Sequence, residues 1–153
     1  MGASVLWSAL KYVLVSIENR QRELGAANDV NIVLLSDGEW ATPSDVLKLL
    51  RDHCSREGNR TRMFTVGFGD GPHRHNLTAL ARVGGGSMEI AKPGQVYGPI
   101  AKQLERCEQV ALSSIEVQWL PEEISVQQSP PQLHTLFNGE HTLVRSKLHG
   151  RRS

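Results

Sequence analysis

The run Asn31-Ile-Val-Leu-Leu-Ser36 has no polar face. A strand of this kind is stable only where helices cover it above and below, which is the situation of strands in a parallel sheet. It therefore asks for a central position, with a neighbour on each side. Around it, apolar residues recur at alternating periods. Leu6, Leu10, Val13, Leu14 and Ile17 are in helical phase and end in the polar stretch ENRQRELGAAND. In ATPSDVLKLLRDHC, Thr42 is placed to cap, Pro43 sits at the first helical position, and Val46, Leu47, Leu50 and Cys54 share one face, with Gly58 positioned to stop the helix. RMFTVGFG reads as a second strand, NLTALARVGGG as a short helix with a glycine exit, and SMEIA as a third strand. A last helix is expected from about Val96 to Val110, with Val96, Ile100, Leu104, Cys107 and Ala111 in phase.

Strand and helix alternate up to about Leu112, the pattern of crossovers feeding a parallel sheet. The fold class is α/β: a partial, doubly wound, Rossmann-like sheet. Only three strands are found where sheets average about five or six, and the chain opens directly on a helix. The sheet is therefore expected to lack its first strands. From Ser113 short runs separated by PEE, SPP and NG indicate β-structure, with Asn138-Gly139 the strongest turn signal. Three parts result: 1–112, the α/β part; 113–150, a β-rich segment of a following module; and 151–153, a basic tail.

Composition narrows the function classes. Seventeen Lys and Arg against sixteen Asp and Glu leave a net charge of +1 in 153 residues, so no field of one sign points to nucleic acid or an anionic membrane as partner. No apolar run reaches the roughly 20 residues that span a bilayer, and no secretory pattern precedes the first helix, which points to the cytoplasm, with a secreted full-length parent as the alternative. Cys54 and Cys107 lie in helical patterns and read as reduced, buried thiols. Without a secretory feature, the sequons at Asn59 and Asn76 read as chance occurrences.

The ordered series GAS opening a helix, IVLLSDGEW, FTVGFG and LTALARVGGGSMEIA, followed by a terminal helix, resembles the later half of a von Willebrand factor type A domain from Gly2 to about Val110. SIEVQWLP followed by LFNGEHTLVRSKLHG is similar to the β segment that follows this domain in the inter-alpha-trypsin inhibitor heavy chains and, more closely, in the von Willebrand factor A domain-containing type 5 proteins. The resemblance implies a metal-ion-dependent adhesion site at the carboxyl ends of the strands. Asp37 then corresponds to the aspartate of the family's Thr-Asp-Gly motif and Ser4 to the threonine of its Gly-x-Thr motif. The third element, Asp-x-Ser-x-Ser, occurs nowhere in the chain. Mg2+ takes about six oxygens. Ser4 and Asp37 are thus a remnant metal site, with no cofactor expected in this chain and Mg2+ in a complete parent domain. Asp37-Gly38 also fits a plain turn in which the carboxylate takes backbone N–H groups, and Ser4 a helix cap.

Other constellations are weaker. Gly67 to Gly71 lies between strand and helix, where backbone N–H groups could meet a phosphate, but the spacing is neither G-x-G-x-x-G nor a P-loop with lysine. His73 and His75 lack a third ligand at metal spacing, and the adjacent His53 and Cys54 point in different directions from one helix. The leading expectation is a non-catalytic protein-interaction module. A nucleotide- or phosphate-binding enzyme domain using Gly67–Gly71 is the second, and a truncated isoform that folds poorly and has no independent function the third. With a neighbour strand missing, residues 32–35 would expose an apolar edge through which the chain self-associates.

Overall fold

The computed structural model describes residues 3–25, 29–40, 42–56, 59–69, 71, 73–113, 115–120 and 125–149, with the side chains of residues 3, 4 and 149 outside the description. The elements are α1 (Ala3–Leu24), β1 (Val30–Ser36), α2 (Pro43–Cys54), β2 (Thr61–Phe68), α3 (Arg74–Val83), β3 (Gly85–Ala91), α4 (Tyr97–Glu108), β4 (Ser125–Ser129) and β5 (Arg145–His149). They form two compact units, Met1–Glu108 and Gln109–Ser153.

In the first unit β1, β2 and β3 form a parallel sheet in that order. Both crossovers move the same way along the sheet, so their helices fall on the same face. There Leu10 and Leu14 of α1, Val46 and Leu50 of α2, and Leu77 and Leu80 of α3 enclose Met63, with Ile32, Leu34 and Met88 packed against them. The opposite face carries α4. Its last turn is fastened to the sheet because the Cys107 carbonyl accepts hydrogen bonds from Arg62 Nη2 at 2.7 Å and Asn31 Nδ2 at 3.2 Å. The chain is thus a partial α/β sheet with helices on both faces.

β2 takes the centre of the three-strand sheet, with Met63 to Gly67 all buried, while Ile32–Leu35, expected to be central only in a complete sheet, lie in β1 at its edge. Among the described residues β1 pairs only with β2, and Leu35 is 46% exposed. Its apolar pattern suits cover on both sides, while the sheet gives it one neighbour. Where β2 meets β3, a Cβ at Gly86 would lie 2.1 Å from the Met63 carbonyl oxygen. The glycine run therefore permits backbone approach as well as ending α3, and β3 starts at Gly85, before the expected Ser87.

Two helices depart from their expected phase. α1 continues through the polar stretch to Leu24, while Val13, expected on the buried face, is 38% exposed. In α4, shorter than expected at both ends, Leu104 is 53% exposed and the neighbouring Gln103 is fully buried. α2 starts as expected, with Thr42 as N-cap and Pro43 inside it, but the cap works through the Thr42 carbonyl, which accepts the Asp45 and Val46 N–H groups, and the side chain makes no capping bond. Gly58 lies outside the described residues.

In the second unit β4 and β5 pair antiparallel, and Leu112 bridges Leu136. Phe137 is buried, and the Trp119 indole donates to Gln128 Oε1 at 2.8 Å. The Asn138-Gly139 turn forms, closed by Glu140 N–H to the Phe137 carbonyl at 3.0 Å with φ +78 at Gly139. It does not join β4 to β5 directly, since the whole stretch 130–144 separates them. Residues 115–120 of the run expected as a strand belong to no strand.

Candidate functional site

β1 delivers Asp37 to the carboxyl end of the sheet, where the chain turns sharply. Glu39 N–H donates to Asp37 Oδ1 at 3.0 Å and Gly38 N–H to Ser36 Oγ at 3.1 Å, so two side chains close the turn. Gly38 has φ +84, and a Cβ there would lie 2.6 Å from the His73 carbonyl oxygen. Asn76, in the first turn of α3, donates its Nδ2 to the Gly38 carbonyl at 3.1 Å. The turn is therefore set by β1 and seated on the N-terminal end of α3. Asn76 and Ser36, which hold it, were not singled out in the sequence. The sequon at Asn76 marks the right residue for another reason.

A divalent cation of the Mg2+ type needs an array of oxygens around it. At this end of the sheet the described residues bring Asp37, exposed and already holding the Glu39 amide with Oδ1. Ser4 lies in the first turn of α1, and its side chain is outside the described residues. Among the described residues no three His, Cys, Asp or Glu side chains gather as ligands. Among the described residues the side chains do not make up such an array.

The loop 67–71 is only partly described, with Asp70 outside it. Arg74 Nη2 donates to the Gly69 carbonyl at 3.4 Å, which ties this loop to the start of α3. His73 is the N-cap of α3 and makes no side-chain capping bond, and His75 is exposed one residue into the helix.

A buried polar relay went unrecognised in the sequence. His53, 3% exposed, faces Glu18 Oε1 with Nδ1 at 3.0 Å and Thr61 Oγ1 with Nε2 at 3.1 Å. Arg56 pairs with the same Glu18 oxygen. Hydroxyl, imidazole and carboxylate in series is the order used in nucleophilic catalysis. Here Thr61 is 7% exposed, and none of the three lines the open groove of about 640 Å³ between α1 and α2, which is bounded by Trp7, Thr42, Asp45, Lys48 and Asp52. The relay clamps α1 and α2 onto β2. Periodicity could not show it, because partners 35 and 8 residues apart meet only after folding.

Both cysteines are free and half-buried. Burial pushes up the Cys54 thiol pKa. Burial also raises that of Cys107, with Glu108 adding to the rise and Arg62 opposing it. No described helix is long and apolar enough to cross a membrane.

The chain is 27% identical to protein mono-ADP-ribosyltransferase PARP4 of Mus musculus over 94% of its length and 7% of that protein. It is 29% identical to a von Willebrand factor A domain-containing protein of Dictyostelium discoideum over 74% of the chain and 5% of that protein. To von Willebrand factor A domain-containing protein 5A of Rattus norvegicus it is 28% identical over 79% of the chain and 14% of that protein. The chain thus spans a small fraction of each of these relatives. No family model matches it, and no solved structure does. The matches support a von Willebrand factor A-like domain, in agreement with the partial α/β sheet.

Proposed function

We propose that this von Willebrand factor A-like chain is a non-catalytic protein-interaction module in which Ser4 and Asp37 are the remnant of an incomplete metal-ion-dependent adhesion site. The observation that carries the reading is the edge of β1, which among the described residues pairs only with β2 and runs into the Asp37 turn. An apolar strand with unpaired backbone groups on one side is a template for adding a strand from another polypeptide. The Asp37 turn is closed by its own side chains, so it keeps its shape without a cation. Mg2+ belongs in this reading to a complete parent domain, and no nucleic acid or membrane is a partner. The ADP-ribosyltransferase activity in the name of the mouse relative is that protein's own.

Titration calorimetry of the chain with Mg2+, Mn2+ and adenine nucleotides tests this. No saturable heat is expected with any of them. Micromolar nucleotide binding would overturn the proposal in favour of an enzyme domain using Gly67–Gly71. Micromolar Mg2+ binding abolished by Asp37→Ala would show a complete metal site instead of a remnant.

A further inference from the structure

Asn138 and Gly139 form the exposed tip of a turn in the second unit. The turn closes on itself: Glu140 N–H donates to the Phe137 carbonyl at 3.0 Å, and Phe137 N–H donates to Glu140 Oε2 at 3.2 Å. Its closure is therefore local to residues 137–140. Among the described residues neither the Asn138 side chain nor the Gly139 N–H is taken up by a hydrogen bond. Gly139 has φ +78, and a Cβ there would meet nothing within 4 Å, so there is open space around the peptide bond that joins the pair. We propose that Asn138 is a site of spontaneous covalent modification, deamidating through a cyclic imide with Gly139 to aspartate and isoaspartate. The inference stands independently of the interaction-module reading.

The backbone nitrogen of Gly139 attacks Asn138 Cγ. The N–Cγ bond forms, the Cγ–Nδ2 bond breaks, and Nδ2 leaves as ammonia carrying the proton that the Gly139 nitrogen gives up. Water then adds to one of the two imide carbonyls. Opening at Cγ gives aspartate, and opening at the main-chain carbonyl gives isoaspartate, with the chain now running through Cγ. No oxidant or reductant enters. Glycine hinders the attack least of all following residues, because it has no Cβ beside the nitrogen. Asp37-Gly38 could form the same imide by loss of water, but its atoms are committed: Gly38 N–H donates to Ser36 Oγ at 3.1 Å, and Asp37 Oδ1 accepts the Glu39 N–H at 3.0 Å. Asn31, Asn59 and Asn76 precede Ile, Arg and Leu, and each donates its side-chain amide to a main-chain carbonyl. The products bear on the fold of the second unit. Either one sets a new carboxylate beside Glu140, and like charges repel. Isoaspartate also adds a main-chain atom inside the turn that follows buried Phe137. Leu136, the residue before it, exchanges two main-chain hydrogen bonds with Leu112, so a loosened turn reaches that pairing.

Peptide mapping of the full chain over time at mildly alkaline pH, folded and in urea, tests the proposal. Asn138 is expected to lose its amide in both states and to yield both acids, faster as pH rises because the attacking nitrogen must give up its proton. Asp37 should give isoaspartate in urea alone. Asn138→Gln, a change at an exposed position, should remain a single species on ion exchange and keep the unfolding midpoint. The isoaspartate form, separated on the same column, should lose hydrogen-exchange protection at the Leu112 and Leu136 amides. Asn138 that stays intact in the folded chain under conditions that convert it in urea would overturn the proposal, as would an Asn138→Gln chain that turns acidic at the same rate. Unchanged protection of Leu136 in the isoaspartate form would overturn the coupling to the fold.

Discussion

Asn76 Nδ2 donates to the Gly38 carbonyl at 3.1 Å, joining the first turn of α3 to the turn that presents Asp37. Both groups are buried, so neither can turn to water instead. Asn76→Leu should destabilise the chain by about 1–3 kcal/mol, read as a lower urea midpoint at unchanged slope. The same bond occupies the amide a glycan would need. Asn59 is likewise engaged, donating its Nδ2 to the His53 carbonyl at 2.5 Å. Expression through a secretory pathway should yield folded chain without N-glycans at either residue, as checked by intact mass.

Gly38 and Gly69 separate strain from collision. Both have positive φ, +84 and +78, but a Cβ at Gly38 meets the His73 carbonyl whereas one at Gly69 meets nothing within 4 Å. Gly69→Ala should cost about 1–2 kcal/mol, the strain of a left-handed residue alone. Gly38→Ala should cost more, since α3 or the turn must also move. Equal unfolding midpoints for the two variants would contradict this.

Gln103 holds α4 against the sheet from inside. Nε2 donates to the Thr65 and Ser87 carbonyls, both at 2.9 Å, while Oε1 accepts the Ser87 hydroxyl at 2.7 Å. Gln103→Leu, though apolar and buried, should destabilise by about 1–3 kcal/mol because it leaves polar partners without bonds. Leu104→Gln, one residue on and half-exposed, should change the midpoint little. Thermal unfolding of the pair provides the comparison.

The cysteines give a pH dependence with a defined sign. A thiol pKa raised by folding means that the folded chain favours the neutral thiol. Its contribution to stability is whole below the ordinary value of 9.0 and is lost as pH rises through the folded value. Cys54 should therefore alkylate more slowly in the folded chain than in urea at mildly alkaline pH, and stability should fall above pH 9.0. Equal alkylation rates in the two states would contradict this.

Features set by local sequence were legible. Alternating periods located every element of the first unit, and Pro43 and Asn138-Gly139 marked a helix start and a turn because their backbone preferences are intrinsic. The likeness to von Willebrand factor A domains came from the order of short motifs and agrees with the relatives found. Features that depend on a tertiary partner were not legible. Gln103 reads as a polar residue beside an apolar stripe, yet the sheet carbonyls beneath it reverse the burial of 103 and 104. The His53 relay gathers residues from α1, α2 and β2 that share no spacing. The apolar pattern of β1 fits two-sided cover whichever strand is its neighbour, so it could not show that β2 takes the centre. The Asp37 turn was visible as Asp-Gly, but its seat on Asn76 was not.

The edge position of β1 is tested most directly by residue-resolved hydrogen exchange on the chain at high dilution. Alternation along one strand is expected: Ile32 and Leu34 amides slow, bonded to β2, and Val33 and Leu35 amides fast, turned away from β2. Uniform slow exchange at all four positions in a sedimenting monomer would mean that the edge is already covered, and would contradict it.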